Sequence, residues 1–379
     1  MDFDFSPEQI MLRDQARDFL VNECPIALVR EMMDDERGHS PDLWRQMADL
    51  GLLSVAIPEE YGGLGLGMVE HALILEQIGR TLCPGPYFAT TVLAATAILA
   101  GGTDLQKQQC LSAIAAGDLI GTVALLEDEI AWDAGGVHAQ ATPVDGGYRL
   151  NGVKRFVPFA NVAQFIIVPA RVGGPDGDVS LFLVDRATEG MTVTPMLSLD
   201  MTEKTSQIEL TDAMVPAACV LGQPGNGAAV IDAIVQRAAV AAAAEMYGTA
   251  RASLDMSVEY AKTREQFGQP IGSFQAVKHK LADMLLDAEA AFAATYYAAW
   301  AQDDHGDEAG TAAHVAKAYT NEAARRICGD AIQVHGGIGF TWEYDLHLYF
   351  KRAKHYEALY GDSQFHREKL AESIGGRIH

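Results

Sequence analysis

Apolar residues recur three and four positions apart from residue 7 to about residue 122, a spacing that is typical of amphipathic helices. The first such face consists of Ile10, Leu12, Ala16 and Leu20. Ser6 followed by Pro7 predicts a helix start, and Gln9 stands where it can close a capping box. We therefore predict an all-α N-terminal domain over residues 1–122.

The pattern changes to short β-branched runs between about residues 123 and 220. Asp-Gly, Gly-Gly-Pro and Asn-Gly pairs bound these runs as turn signals, and residues 145–147 and 173–177 have the composition of hairpin tips. The runs are residues 148–150, 165–168, 179–184 and 191–194. This pattern predicts a middle β-sandwich or barrel-like domain over residues 123–225.

Helical spacing returns after the glycine-rich segment 222–227. Alanine dominates residues 228–260, and small side chains allow helices to approach closely. One face of the following helix is predicted to contain Phe274, Val277, Leu281, Met284, Leu285 and Ala288. We predict a C-terminal four-helix bundle over residues 226–379, which makes the chain an α+β multidomain protein.

The chain carries 51 acidic and 28 basic side chains, a formal charge of −23. Such a surface repels nucleic acid and anionic lipid, so neither is expected as a partner. Residues 89–100, the longest stretch that looks apolar, are too short to cross a bilayer and are expected to form a buried helix. An anionic ligand would need basic residues at its binding site.

The five cysteines are far apart in sequence and include no CxxC pair, so we expect neither a disulfide framework nor a metal site. The first residues lack the apolar segment of a signal peptide, and a reducing cytoplasm is the expected location. HExxH and GxSxG motifs are absent, and the glycines at 63, 65 and 67 lack the spacing of a nicotinamide-binding motif.

Three segments resemble the acyl-CoA dehydrogenase family. Residues 264–275 read REQFGQPIGSFQ, residues 333–340 read QVHGGIGF and residues 56–65 read AIPEEYGGLG. The first two are similar to the family's flavin-binding stretches and occur in the same order. The resemblance implies helical, β and helical-bundle domains, assembly into dimers or tetramers, and flavin adenine dinucleotide (FAD) as the cofactor.

The resemblance assigns the FAD pyrophosphate to Arg264, whose guanidinium can donate two charge-assisted hydrogen bonds. It also implies that other residues of these segments and of the C-terminus bind FAD. They are Gln266, Phe267, Phe274, Gln275, Gln333, Gly336, Gly337 and Gln364. Two structural alternatives remain open: a Gly-Pro connector with a surface arginine, and a glycine that only ends a helix.

The family reaction needs a carboxylate base, and this chain departs from the family there. The usual glutamate position falls on Tyr360, a phenol with an ordinary pKa of about 10, although its backbone amide could bind a thioester carbonyl. A less common position falls on Ala238. Glu245 stands seven residues later, on nearly the same helix face, and is our candidate base, with a pKa raised by apolar surroundings. A solvent-facing Glu245 is the alternative.

The middle domain also departs from the family near the flavin. Residues 126–133 read LEDEIAWD where the family has Thr-Glu-Pro-x-Ala-Gly-Ser-Asp. Residues 156–158 read Phe-Val-Pro in place of Trp-Ile-Thr, and Pro158 offers neither a hydroxyl nor an amide hydrogen. The resemblance therefore extends to the adenosine and pyrophosphate contacts more than to the isoalloxazine contacts.

Three functions follow from the resemblance. The first is α,β-dehydrogenation of an acyl-CoA, in fatty acid or steroid side-chain β-oxidation, with electrons passed to an electron-transfer flavoprotein. The second is a non-catalytic partner subunit that completes the FAD site of a heteromeric dehydrogenase. The third is a flavin oxidase or monooxygenase on the same fold. In each case we expect a homo- or hetero-oligomer.

Overall fold

The computed structural model of the protein describes residues 4–304 and 306–375, with only the backbone at Asp304 and Asp307. The ends of the first and last predicted domains, residues 1–3 and 376–379, lie outside the described residues. The chain divides into two compact units. The helical unit comprises residues 4–29, 67–83 and 239–375, and the sheet unit comprises residues 30–66 and 84–238.

The α-helices are α1 (Pro7–Glu23), α2 (Ile26–Asp34), α3 (Pro41–Asp49), α4 (Met68–Thr81), α5 (Ala95–Gly101), α6 (Asp104–Ala115), α7 (Gly227–Thr263), α8 (Gln275–Asp304), α9 (Gly306–His335), α10 (Leu346–Ala358) and α11 (Ser363–Gly375). The strands are β1 (Gly121–Val123), β2 (Gln140–Val144), β3 (Gly147–Pro158), β4 (Phe165–Val172), β5 (Val179–Asp185), β6 (Met191–Met196), β7 (Thr205–Pro216), β8 (Glu265–Gln266) and β9 (Gln269–Pro270). N-terminal helices, a middle sheet and C-terminal helices confirm the predicted fold class.

The first helix begins as its sequence predicts. The Gln9 amide donates to the Ser6 hydroxyl at 3.2 Å, and the Ser6 amide donates to the Gln9 side chain at 2.9 Å. Pro7 occupies the first turn, where its missing N–H costs no hydrogen bond. The predicted capping box is confirmed.

The sheet unit contains a seven-stranded sheet in the order β1-β4-β2-β3-β7-β6, with β5 paired to β4. All four predicted strand runs lie within strands, and both predicted tips join antiparallel partners, β2 to β3 and β4 to β5. The sequence reading did not identify β7, which pairs with both β3 and β6. Residues 151–152, an Asn-Gly pair, lie inside β3 at a register shift rather than in a turn.

Glycine lets α4 and α7 approach closely in the helical unit. A β-carbon on Gly79 would lie 2.0 Å from the Glu245 carbonyl oxygen, and one on Gly248 would lie 2.0 Å from that of Glu76. The crossing therefore requires glycine on both helices. It places the middle of α7 in the interior of the unit, where residues 241–244 are buried alanines.

The expectation that residues 89–100 form the longest apolar stretch was wrong. Among the described residues, α7 is long and apolar enough to cross a membrane by length and composition, and 67% of its most apolar window is buried inside the protein. Burial of this kind also occurs in the core helices of soluble proteins. Residues 89–100 are buried as predicted, except for a partly exposed end, but residues 88–94 form a π-helix that precedes α5.

Two further expectations need correction. Met284 and Ala288 are buried on α8 as predicted, but Leu285 is 43% exposed and lies outside the buried face. Cys24 and Cys83, 59 positions apart in sequence, contact each other in the helical unit as buried thiols. Their hydrogen bond, followed by burial, raises the pKa of Cys83.

Candidate functional site

The first sequence motif forms an exposed hairpin after α7. Strands β8 and β9 pair through Glu265 with Pro270 and Gln266 with Gln269. The turn residues Phe267 and Gly268 have φ values of 53° and 77°, and two positive φ values are the pattern of a type I′ turn. The hairpin therefore turns at Phe267 and Gly268, and residues 262–270 are exposed.

Arg264 lies at the base of this hairpin with an exposed side chain. Its backbone amide continues the helix by donating to the Tyr260 carbonyl at 2.8 Å. Among the described residues, its guanidinium makes no ion pair. In a chain with 51 acidic side chains, an arginine without a carboxylate partner is available to an external anion.

The other residues assigned to this motif lie close along the chain. Phe267 is 93% exposed, and its ring meets that of Phe274 edge-on with centroids 6.1 Å apart. Gln275 begins α8 with an exposed side chain, and the Gln266 amide donates to its neighbour's carbonyl at 2.7 Å. The hairpin thus presents an aromatic ring and two amide side chains to whatever contacts it.

The second motif ends α9. Gly336 has a φ of 64°, which favours glycine, and residues 336–340 continue as a 3₁₀ turn. A β-carbon on Gly336 or Gly337 would meet no atom within 4 Å. Gly336 is therefore needed for its conformation, whereas Gly337 is needed for neither conformation nor space within the chain. Gln333, also exposed, lies in the last turn of α9.

An aromatic stack brings the two motifs together. The rings of Tyr260, in the last turn of α7, and His335, at the end of α9, are stacked with centroids 4.2 Å apart. His335 Nδ1 lies 2.8 Å from the Ala331 carbonyl, which can only accept, so Nδ1 carries the proton. Burial lowers the pKa of His335, and its neutral Nε2 then accepts from the Tyr344 hydroxyl at 3.1 Å.

Gln364 lies apart from this stack in sequence and is exposed near the start of α11. Its side-chain amide donates to Glu368 Oε1 at 2.9 Å, one turn along the same helix. The structure therefore shows Gln364 on the surface of the helical unit, and its role with FAD stays a prediction.

Glu245 is buried in a polar cluster rather than turned to solvent. Its side chain is 1% exposed, its Oε1 lies 2.5 Å from Arg352 Nη1, and its Oε2 accepts from the Tyr356 hydroxyl at 3.0 Å. Arg352 is itself fully buried. Both carboxylate oxygens are thus engaged by donors from α10, which gives this carboxylate a structural role in the helical unit.

The usual position of the family base lies in a tight loop between α10 and α11. Tyr360 is buried and has a φ of 58°, and Gly361 follows with a φ of 98°. The Tyr360 carbonyl accepts a hydrogen bond from His366 Nε2 at 3.0 Å. Ala238, the less common position, is fully buried on α7.

The departing segments of the middle domain meet in the sheet unit. The Lys154 ammonium and Glu127 Oε1 form a buried pair at 2.6 Å, and Glu127 also accepts from the amides of His138 and Ala139. Phe156 is partly exposed with a φ of 51°. The Pro158 carbonyl accepts from the Thr122 hydroxyl at 2.7 Å, so this segment is fixed by the sheet itself.

Sequence reasoning missed three residues that organise this region: Arg352, Lys317 and Tyr260. Arg352 and Lys317 are fully buried charges on α10 and α9. A cation four residues from apolar positions on a helix face is a signal that could have identified Arg352, four positions after Leu348. The stacking of Tyr260 on His335 has no such signal, because it depends on how α7 and α9 pack.

We compared the chain with known protein families and structures. Three family models match: "Acyl-CoA dehydrogenase, N-terminal domain" over residues 6–118, "middle domain" over residues 122–213 and "C-terminal domain" over residues 225–375. The Bacillus subtilis protein named "Probable acyl-CoA dehydrogenase YngJ" is 36% identical over 382 residues, covering 99% of this chain and 100% of that protein.

Two solved structures are similar over almost the whole chain. Butyryl-CoA dehydrogenase from Megasphaera elsdenii has a TM-score of 0.91 and 28% identity, covering 99% of this chain and 100% of that one. A chain of the ChsE4-ChsE5 complex from Mycobacterium tuberculosis has a TM-score of 0.89 and 31% identity, covering 99% of both. The chain therefore belongs to the acyl-CoA dehydrogenase family, as an oxidoreductase that uses FAD.

Proposed function

We propose that this protein dehydrogenates an acyl-CoA thioester between its α and β carbons and passes the electrons to an electron-transfer flavoprotein. The bound FAD supplies the oxidant, which accepts hydride from the β-carbon. The family assignment supports the reaction class. The acyl chain and the electron acceptor are our proposals.

One observation supports our assignment of the FAD-binding residues most directly. Arg264 is exposed without an ion pair among the described residues, close in sequence to Tyr260, whose ring stacks on His335 beside the open pair Gly336-Gly337. A guanidinium and accessible backbone suit a pyrophosphate, which needs charge-assisted donors. We assign the adjoining contacts to the residues predicted for them, Gln266, Phe267, Phe274, Gln275, Gln333 and Gln364.

These residues fit the cofactor in their chemistry. The phosphates are anionic, whereas the chain is strongly acidic, so a local arginine is needed to bind them. Phe267 offers a face to an aromatic ring system, and the glutamines offer amide donors and acceptors. We expect these side chains to hold and orient the dinucleotide while other residues act on the substrate.

The base remains the least supported part of the proposal. Glu245 was our candidate, and its assignment stays a prediction. Its contacts with Arg352 and Tyr356 favour a structural role, because a carboxylate that is already paired has no lone pair directed at a substrate. Tyr360 and Ala238 offer no carboxylate at the two family positions.

This absence favours a second candidate function, a partner subunit in a heteromeric dehydrogenase. In that arrangement a related chain supplies the base, and this chain completes an FAD site through Arg264 or Gln333. Similarity to a chain of the ChsE4-ChsE5 complex supports the arrangement. It also supports a bulky acyl chain, such as a steroid side chain, as a substrate class to test.

We further propose that the protein is an oligomer in a reducing, cytoplasmic setting. The helical unit exposes Phe267, Phe340 and Trp342, and exposed aromatic side chains favour association. The five cysteines are all thiols. Sedimentation of a folded, FAD-loaded species near the chain mass of 40.8 kDa would refute the oligomer.

The deciding experiment is an absorption spectrum of the purified chain, followed by anaerobic titration with acyl-CoA thioesters. Flavin bands that bleach with substrate, and turnover only with an electron-transfer flavoprotein, would support the dehydrogenase. Bleaching only after a related subunit is added would support the partner role. Turnover with oxygen alone would instead indicate an oxidase or monooxygenase.

A further inference from the structure

A buried lysine supports the loop between α10 and α11. The Lys317 ammonium donates to Asn321 Oδ1 at 2.6 Å, to the Tyr356 carbonyl at 2.8 Å and to the Gly361 carbonyl at 3.2 Å. Both Lys317 and Asn321 are fully buried. Three acceptors match the three N–H groups of an ammonium, so the side chain joins α9 to the end of α10 and to the loop.

A pair of histidines holds the same loop from α9 and α11. Because the Tyr360 carbonyl can only accept, His366 Nε2 carries the proton that it donates. Burial lowers the pKa of His366 to about 3, so the ring is neutral and its Nδ1 accepts from His314 Nδ1 at 2.8 Å. These bonds fix the tautomers of both rings.

These contacts hold the backbone in an unusual conformation. Tyr360 and Gly361 both have positive φ, which costs a residue with a side chain about 1–2 kcal/mol. A β-carbon on Gly361 would lie 2.6 Å from His366 Nε2. The loop is therefore packed tightly against His366, and its conformation persists because Lys317 and His366 bind three consecutive structural points, the carbonyls of residues 356, 360 and 361.

We propose that Lys317 is a positioning residue for acyl-CoA binding, because it and His366 fix the loop that occupies the usual base position. The proposal rests on the proposed function, in which the Tyr360-Gly361 backbone contacts the thioester. Lys317 acts only through that backbone. Its loss should change acyl-CoA binding more than FAD retention.

The first test measures the loop without any ligand. In Lys317→Met, which keeps much of the side-chain volume, amide hydrogen exchange in a peptide covering residues 359–362 should become at least tenfold faster. Arg326→Met is the matched control, since it removes a cation from the exposed surface of the same helix, where it pairs with Asp287. Unchanged exchange in folded Lys317→Met would overturn the proposal.

The second test measures binding in FAD-loaded protein, with the partner subunit added if the parent requires one. Octanoyl-CoA should perturb the flavin spectrum with a Kd raised at least tenfold in Lys317→Met, while free coenzyme A binds as in the parent. An equal loss for both ligands would indicate a general structural effect and would overturn the positioning role.

Two histidine variants keep the proposal testable if Lys317→Met does not fold. His366→Gln retains an amide donor for the Tyr360 carbonyl, whereas His366→Phe removes it. Near-parental exchange and binding in the glutamine variant, with loss of both in the phenylalanine variant, would support the mechanism, and equal behaviour would refute it. A parent that neither holds FAD nor binds acyl-CoA would refute the proposed function, while the exchange measurement would still test the loop.

Discussion

Two charged residues that belong to the same helix region have opposite environments. Glu245, within α7, is 1% exposed and contacts Arg352 and Tyr356. Arg264, directly after α7, is exposed and makes no ion pair among the described residues. One charge is satisfied inside the protein, and the other is left to solvent.

The difference separates a fold-building charge from a ligand-binding charge. A carboxylate is retained in the interior only when a partner compensates its lost hydration, and Arg352 provides that compensation. An exposed arginine needs no partner in order to fold, so its position is free to serve a ligand. The comparison therefore assigns binding to the end of α7 and stability to its middle.

The strongest way to break this comparison is Glu245→Gln. The change leaves Arg352 as a buried cation without its counter-charge, and removing one partner of such a pair costs about 3–5 kcal/mol. We expect that loss in the free energy of unfolding, measured by urea titration of the FAD-free protein.

The control for this variant is the double change Glu245→Gln with Arg352→Met, which removes the uncompensated cation. It should recover much of the lost stability. If Glu245→Gln is instead as stable as the parent and retains FAD, but bleaches with acyl-CoA about 10²-fold more slowly, Glu245 is the base and our structural interpretation is wrong.

Arg264→Ala tests the other side of the comparison. Loss of a charged hydrogen-bonding group should weaken FAD binding by about 1.5–3 kcal/mol, without lowering the stability of the FAD-free protein. FAD retention on dilution measures the effect. Lys262→Ala is the control, because Lys262 is a nearby exposed cation already paired with Glu259 at 2.6 Å. Equal FAD retention in Arg264→Ala and the parent would refute the assignment.

Local patterns predicted the fold better than they predicted the pairings. The capping box at Ser6 and the strand runs depend on neighbouring residues, and the structure confirms them. The Asn-Gly pair at 151–152 has a turn composition, yet pairing between β3 and β7 places it at a bulge inside a strand. Propensity was overridden there by the longer sheet around it.

The environment of Glu245 could not be predicted in the same way. Its partner Arg352 is 107 positions away, and only the packing of α7 against α10 brings them together. Periodicity placed Glu245 on an apolar helix but could not show which donors faced it. The exposed hairpin at Arg264 was easier to anticipate, because its Gly-Pro composition and family resemblance both act locally.

Paired glycine variants sharpen the binding side of the comparison. Gly336→Ala should cost about 1–2 kcal/mol, because alanine is strained at a φ of 64°. Gly337→Ala should leave the stability of the FAD-free protein unchanged, since its β-carbon would meet no atom within 4 Å. Unfolding titrations measure both values.

Gly337→Ala then reports on what approaches the backbone from outside the chain. Reduced FAD retention or weaker assembly, with normal stability, would show that a ligand or neighbouring subunit contacts this residue. Parental FAD retention and assembly in Gly337→Ala would indicate that the glycine pair serves only to end α9.

Phe267→Ala should have the smallest effect on folding. Phe267 is 93% exposed, so its removal should change the free energy of unfolding by less than about 0.5 kcal/mol. An aromatic contact with a ligand is worth roughly 0.5–1.5 kcal/mol, so FAD retention should fall by that modest amount if the ring covers the cofactor. Met11→Ala is the control, because Met11 is 71% exposed on α1, away from the motifs in sequence. An equal loss of FAD in both variants would show that Phe267 has no specific contact, and a large loss of stability in Phe267→Ala would contradict the exposed hairpin itself.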